Sequence, residues 1–303
     1  LRRTLALLPV ALVGISLAIA SIEEAQANDT GPVSARMAGR TTVHLASQLS
    51  GAGAPVRASI QTTRRKWGNF HVSEGAIPEA IAGAACPADM ANVDDRYCVD
   101  RWEASLVEVL PDGSEQSWPP YGPIDSGHVL RAVSRANVIP QAYISGSQAA
   151  RTCAEAGKRL CAPVEWRKAC MGPRQQRFGY GNERVEGRCN DRGKSPMMRL
   201  YPQVGRSWSL VGMTEMNDPR LNQLDGTLSP TGSHDECTNE YGVYDMVGNL
   251  HEWTSDPNGT FQGGYYLDTH LNGDGCSYRT VAHEFTYHDY STGFRCCADP
   301  TEP

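Results

Sequence analysis

The sequence predicts an α+β fold in which short helices and short β-type runs are joined by long loops held by disulfides. Three observations lead there. Residues 144–172 carry start and stop signals for two short helices, residues 177–225 are rich in Gly, Asn, Asp and Pro yet contain Tyr, Leu and Met that need burial, and all ten cysteines lie between Cys86 and Cys297. Loops this long seldom hold themselves, so covalent bridges and bound cations are the expected supports.

The chain has 303 residues, 40% hydrophobic and 20% charged, which fits one sizeable globular domain with extra segments or two small ones. Charge divides it. Residues 28–85 carry a net +3, whereas residues 86–303 hold 20 basic and 29 acidic side chains, a net -9. Phosphate contacts need clustered Lys and Arg, so nucleic acid is not an expected partner of the acidic part.

Residues 1–27 begin with Arg2 and Arg3, continue with an apolar run from Leu5 to Ala20, and end in Ala25-Gln26-Ala27. This is the order of a secretory signal peptide, with cleavage expected after Ala27 and no transmembrane span in the mature chain. The apolar run is short for a retained membrane anchor, and no Cys follows the cut to carry a lipid. Residues 28–85, rich in Ala, Gly, Ser, Thr and Arg, read as a disordered linker. Within it, Arg64-Arg65-Lys66 beside Trp67 could touch an anionic envelope surface, but a solvated tail is the preferred reading.

An even cysteine count in an exported chain favours disulfides, and no C-x-x-C pair of the zinc type is present. Cys86 and Cys98 are expected to close a small loop at the start of a domain spanning residues 86–300. Ser147 is the expected cap of a helix running to about residue 156, with Gly157 as its left-handed stop. A second helix is expected with Pro163 in its first turn, ending before Gly172. Trp166 on that helix reads as a core anchor, and residues 262–297 supply the β-type runs that close the fold.

The densest stretch is Y-G-V-Y-D-M-V-G-N-L-H-E-W-T-S-D over residues 241–256. Its apolar positions keep neither a helical nor a strand period, so a tight loop is expected. Gly248-Asn249 tolerates positive φ, and Asp245 and Glu252 flank it. Such a loop can aim two carboxylates and the carbonyls of Gly248 and Leu250 at one point, an oxygen cage suited to calcium. A structural turn with solvated acids fits the same residues.

Five short signatures, in order, resemble the formylglycine-generating enzyme, or sulfatase-modifying factor, domain family. They are Gly157-Lys158-Arg159-Leu160 with Glu165-Trp166, the turn Phe178-Gly179-Tyr180-Gly181-Asn182, residues 241–253, Gly263-Gly264, and Gly293-Phe294-Arg295-Cys296. Cys98-Val99-Asp100-Arg101-Trp102-Glu103 also resembles the family's opening strand. The resemblance implies a single compact domain of low regular secondary structure, a variant of the C-type lectin fold stabilised by structural calcium and disulfides. It implies bridges from Cys153 to Cys296 and from Cys170 to Cys276; the remaining cysteines allow Cys189 with Cys237 and Cys161 with Cys297, a connectivity that sequence alone does not settle. It places a calcium loop on Asp245, Gly248, Leu250 and Glu252. A first calcium site falls on Asn190 and acidic residues between 217 and 225.

One departure weighs on function. Active members hold copper(I) between two cysteines spaced C-x-x-x-x-C, since soft thiolates select that ion. Here the stretch after Gly264 reads Y-Y-L-D-T-H-L-N-G-D-G-C, with Cys276 as its single thiol, so no copper is expected. The expectation is an exported accessory or binding protein of the cell envelope, secreted or periplasmic, with a protein, peptide or glycan ligand. The alternative is a divergent metal-dependent oxidoreductase using His270, His283 or His288, and a calcium-dependent carbohydrate binder is a third class. If the loop leaves as a strand, alternation puts His251 on the face opposite Glu252, away from any shared ion. No G-x-S-x-G or phosphate-loop motif is present.

Overall fold

Residues 72–301 are described by the structure, a computed structural model. The expected signal peptide and the linker up to residue 71 lie outside the described residues. The regular elements are short because turn residues interrupt the chain every few positions. Strands β1 (Met90–Val93) and β2 (Tyr97–Asp100) form a hairpin turned by Asp94 and Asp95, both at positive φ. Asn92 fixes that turn, accepting from the Asp95 amide and donating to its carboxylate at 2.8 Å each. Strands β3 (Ala104–Val109), β4 (Glu115–Ser117) and β5 (Leu130–Ser134) make an antiparallel sheet in the order β4-β3-β5.

Helix α1 (Gly146–Glu155) begins two residues earlier than expected. Its cap is Ser145, not Ser147, because Gln148 stands three residues on and closes a reciprocal capping box with Ser145. Gly157 takes the left-handed stop at φ +69, and β6 (Arg159–Leu160) follows. Helix α2 (Pro163–Met171) starts on Pro163; its N-cap is Ala162, so the missing cap side chain is replaced by Glu165, which accepts from the Ala162 amide at 2.8 Å. Two single-turn helices, α3 (Pro196–Leu200) and α4 (Met213–Met216), sit in the irregular middle.

The rest of the chain builds β7 (His251–Trp253), β8 (Phe261–Gln262), β9 (Arg279–Thr280), β10 (Thr292–Phe294) and β11 (Cys296–Ala298). One sheet runs β10-β7-β8-β9, with β10 parallel to β7 and Gly293 opposite Glu252. Another runs β1-β2-β11-β6, so the last strand lies between β2 and β6 and the domain is closed by non-local pairing.

All ten cysteines are paired: Cys86–Cys98, Cys153–Cys296, Cys161–Cys297, Cys170–Cys276 and Cys189–Cys237. Strand alternation explains the adjacent pair on β11. Cys296 and Cys297 face opposite sides, so Cys296 joins Cys153 in a core with Trp253 and Phe294, while Cys297 joins Cys161 in a core with Tyr97 and Trp166. A third apolar cluster gathers Tyr143, Met197, Leu221, Leu250 and Tyr266 under the irregular loops.

Residues 72–85, which composition groups with the linker, lie along the domain. Glu74 accepts from the Val164 amide at 3.0 Å and pairs with Arg167 and Arg279, and Ala85 pairs with Thr301. The ordered contacts therefore begin before Cys86, because Glu74 and Ile77 have partners that composition does not reveal.

Candidate functional site

Residues 241–250 form the expected loop, which leads into the short strand β7. Asp245, Gly248 and Asn249 all have positive φ. Gly248 is obligatory there, since a Cβ would stand 2.3 Å from the Asn190 carbonyl oxygen. Asn249 is the hub that ties the loop to its surroundings. Its side-chain oxygen accepts from Asn190 at 2.8 Å and from the Ser229 amide at 3.0 Å, and its amide nitrogen donates to the Glu103 carboxylate.

Beyond the loop, β7 alternates. Glu252 turns into the core, where Arg295 meets it through two parallel bonds, Nε to Oε2 at 2.6 Å and Nη2 to Oε1 at 2.7 Å. Trp166 Nε1 donates to the same Oε2 at 2.6 Å. Arg295 is fully buried and completes its donors on the carbonyls of Asp100, Arg101 and Tyr244. Such a fork fits a carboxylate in a way a lysine cannot.

Three buried carboxylates, Glu103, Asp245 and Glu252, share this one guanidinium. Burial holds the Glu103 carboxyl well above the usual range, and the charges of Asp245 and Glu252 push it further. Burial likewise pushes Asp245 up to about 6, although the Gly232 amide donates to it at 2.6 Å. Ionised together, the three carboxylates would outweigh the one guanidinium, and the raised Glu103 and Asp245 carboxyls relieve that excess by holding protons.

The sequence-expected ligands are partly assembled. Asp245, Gly248, Leu250 and Glu252 are on one loop, but Glu252 is engaged by Arg295 and Trp166. Asn190 joins the loop through Asn249, and its amide nitrogen also donates to the Thr227 carbonyl at 2.8 Å. In the stretch 217–225, Asp218 pairs with Arg220, and Asn217 pairs with His288. Among the described residues, no three His, Cys, Asp or Glu side chains are grouped so as to hold a metal ion. Glu103 and Arg295 were legible only as family motif residues; their convergence on Glu252 and Asp245 comes from pairing across the fold.

On the opposite face of β7, His251 lies in a row of rings. Phe261 and Tyr265 are 4.7 Å from it, centroid to centroid, and Tyr278 is 5.5 Å away. His283 packs on Phe261 at 4.8 Å and on Tyr287 at 4.6 Å. Burial pushes the His251 imidazole down to about 3, and its Nδ1 has no hydrogen-bond partner. His270 sits beside Asp268 and His288 beside Asn217, so His270, His283 and His288 have separate surroundings. Burial lowers His283 and His288 as well. Cys276 is bonded to Cys170, and no free thiol is present.

Comparison with known proteins adds a family match. The model of the "Sulfatase-modifying factor enzyme 1-like domain" covers residues 108–300, more than half of the chain. A formylglycine-generating enzyme of Streptomyces coelicolor is 25% identical over 330 residues, covering 93% of this chain and 97% of that protein. The Bos taurus enzyme is 32% identical over 119 residues, which is 39% of this chain and 27% of the relative, so the match spans about a quarter of the mammalian protein. Among solved structures, a Major Tropism Determinant I1 variant superposes with a TM-score of 0.41 at 13% identity, covering 73% of this chain and 55% of that one. CarF superposes with a TM-score of 0.38 at 14% identity, covering 73% and 96%. The α+β assignment rests on the chain's own sheets and helices.

Proposed function

Because this chain belongs to the sulfatase-modifying factor enzyme 1-like domain family, we propose that it is an exported, disulfide- and calcium-stabilised member that binds a partner in the cell envelope and does not oxidise substrate cysteines. One observation carries the reading: every cysteine is committed to a disulfide. A copper(I) centre of the family type needs two thiolates, and the residues present do not fit one. Five disulfides support an oxidising compartment.

The support for calcium is the donor chemistry. Asp245 and Glu252 are hard oxygen donors on one loop with the backbone carbonyls of Gly248 and Leu250, and, when ionised, their charge together with that of Glu103 exceeds that of Arg295. Calcium there would neutralise the pocket and stabilise the loop; it has no part in a reaction. Asp245 would be its principal side-chain ligand, with Glu252 also bonded to Arg295.

Copper(I) titration of the native, oxidised protein, followed by a cysteine-peptide oxidation assay, tests the reading. The expected result is no stoichiometric binding and no aldehyde product; one copper per chain with turnover overturns it. A second reading, a divergent metal-dependent enzyme, is favoured by His251, whose buried imidazole keeps an unpartnered nitrogen near His283. Elemental analysis of protein purified without chelator separates the two. Calcium alone supports the first, whereas iron, copper or zinc near one per chain supports the second.

A further inference from the structure

Residues 196–216 form an irregular segment of α3, two tight helical turns (Pro202–Gly205 and Trp208–Leu210) and α4. Met197, Val204, Val211 and Met216 turn inward against the third apolar cluster. Met198, Trp208, Leu210 and Met213 do the reverse, with 48%, 57%, 55% and 46% of their surface exposed. Four of the seven large apolar side chains so exposed in the described residues thus lie in one segment, where scattered singles would be ordinary. The Met198 side chain lies against Gly205, three residues before Trp208.

Charge identifies the occupant. Residues 192–216 contain Arg192, Lys194, Arg199 and Arg206 against a single acid, Glu215, whose carboxylate is engaged by the Gly212 amide at 2.8 Å, in a domain of net charge -9. Arg192 pairs with Glu186, and Arg199 donates to the Asp225 carbonyl. Lys194 and Arg206 have no ion pair among the described residues. In a domain of net negative charge, a segment with a local excess of cations is a face that an anionic bilayer attracts. Half-exposed Trp, Leu and Met beside unpaired Lys and Arg are what the boundary between headgroups and acyl chains accepts.

We propose that this face docks the protein on an anionic lipid surface, with Trp208, Leu210, Met198 and Met213 entering the interface and Lys194 and Arg206 meeting lipid phosphates. The contact is reversible and weakens with salt, because its charged part is exposed and screened. It is independent of the calcium loop and of the fate of the cysteines.

Flotation with vesicles of phosphatidylcholine and phosphatidylglycerol, against vesicles of phosphatidylcholine alone, tests it on the full chain. Comparing variants within that chain isolates this segment from any contribution of the basic residues before it. The expected result is preference for the anionic vesicles, reduced at least about tenfold in the double variants Trp208→Ser/Leu210→Ser and Lys194→Glu/Arg206→Glu, with the thermal midpoint unchanged. Brominated acyl chains should quench the fluorescence that wild type has and Trp208→Phe lacks. Equal vesicle binding by wild type and both variants overturns the proposal. So does a wild type that ignores vesicles but self-associates through Trp208 and Leu210 in sedimentation, since that would make the face a protein interface.

Discussion

Arg295 is the residue on which the candidate site depends. It is a buried cation facing Glu252, Glu103 and Asp245, and its own five donors are taken by the Glu252 carboxylate and three backbone carbonyls. Removing one partner of such a pair leaves an uncompensated buried charge, so Arg295→Met should destabilise the fold by about 3–5 kcal/mol in a denaturant titration. Arg295→Lys should recover only part of that, because an ammonium cannot reproduce the paired bonds. If Arg295→Met unfolds no more easily than wild type, the ion pair is not the site's support. Across β7, His251 offers a direct check on its apolar surroundings. Its imidazole should stay neutral in NMR titrations from pH 8 down to about pH 4, since burial among Phe261, Tyr265 and Tyr278 holds it near 3.

Among the elements, β11 carries an unusual mechanical load. Its adjacent cysteines tie it to Cys153 at the end of α1 and to Cys161 after β6, closing loops of 143 and 136 residues that almost coincide. A lone bridge over so long a loop would stabilise by about 5 kcal/mol in the chain-entropy account. Here each bridge backs up the other. Replacing Cys153 and Cys296 by Ala should therefore lower stability by far less than half of what removal of both bridges does, measured as a double-mutant comparison. The loop before β7 has no such backup. Gly248→Ala needs a side chain at φ +86 and 2.3 Å from the Asn190 carbonyl, so it should lower stability by more than about 2 kcal/mol, whereas a drop within 0.5 kcal/mol would mean the loop relaxes freely.

At the scale of the whole molecule, calcium and protons should compete for the same pocket. Asp245 is pushed up to about 6 when folded, against 3.8 when exposed. The folded state therefore holds this proton more tightly, so its stabilising effect is complete below pH 3.8 and is lost as pH rises through 6. In chelator, the difference in melting temperature between wild type and Asp245→Asn should shift in the variant's favour from pH 4.5 to 7. Added calcium should reverse that shift in the wild type alone. A difference that stays flat with pH, with or without calcium, would argue that the pocket is neutralised in another way.

The sequence by itself determined the short helices, the turn at Gly248-Asn249 and the small bridge between Cys86 and Cys98. These depend on residues close in the chain, through caps, positive φ and loop closure. It also carried the family, because motif order survives where long-range geometry cannot be read. Even locally it missed one competition, placing the helix cap at Ser147 where the reciprocal bonds with Gln148 select Ser145. Only the tertiary structure decided that Arg295 faces Glu252 across 43 residues, that Glu103 reaches Asn249 across 146, and that Glu74 docks the end of the linker on Arg279 across 205. The first two contacts join elements brought together by β10 lying parallel to β7 and β11 pairing back onto β2, and the third joins β9, paired on β8, to a segment held at the start of α2 by the Val164 amide. A charged side chain is legible in a sequence, but which buried charge it must neutralise is settled by the packing that removes water from both.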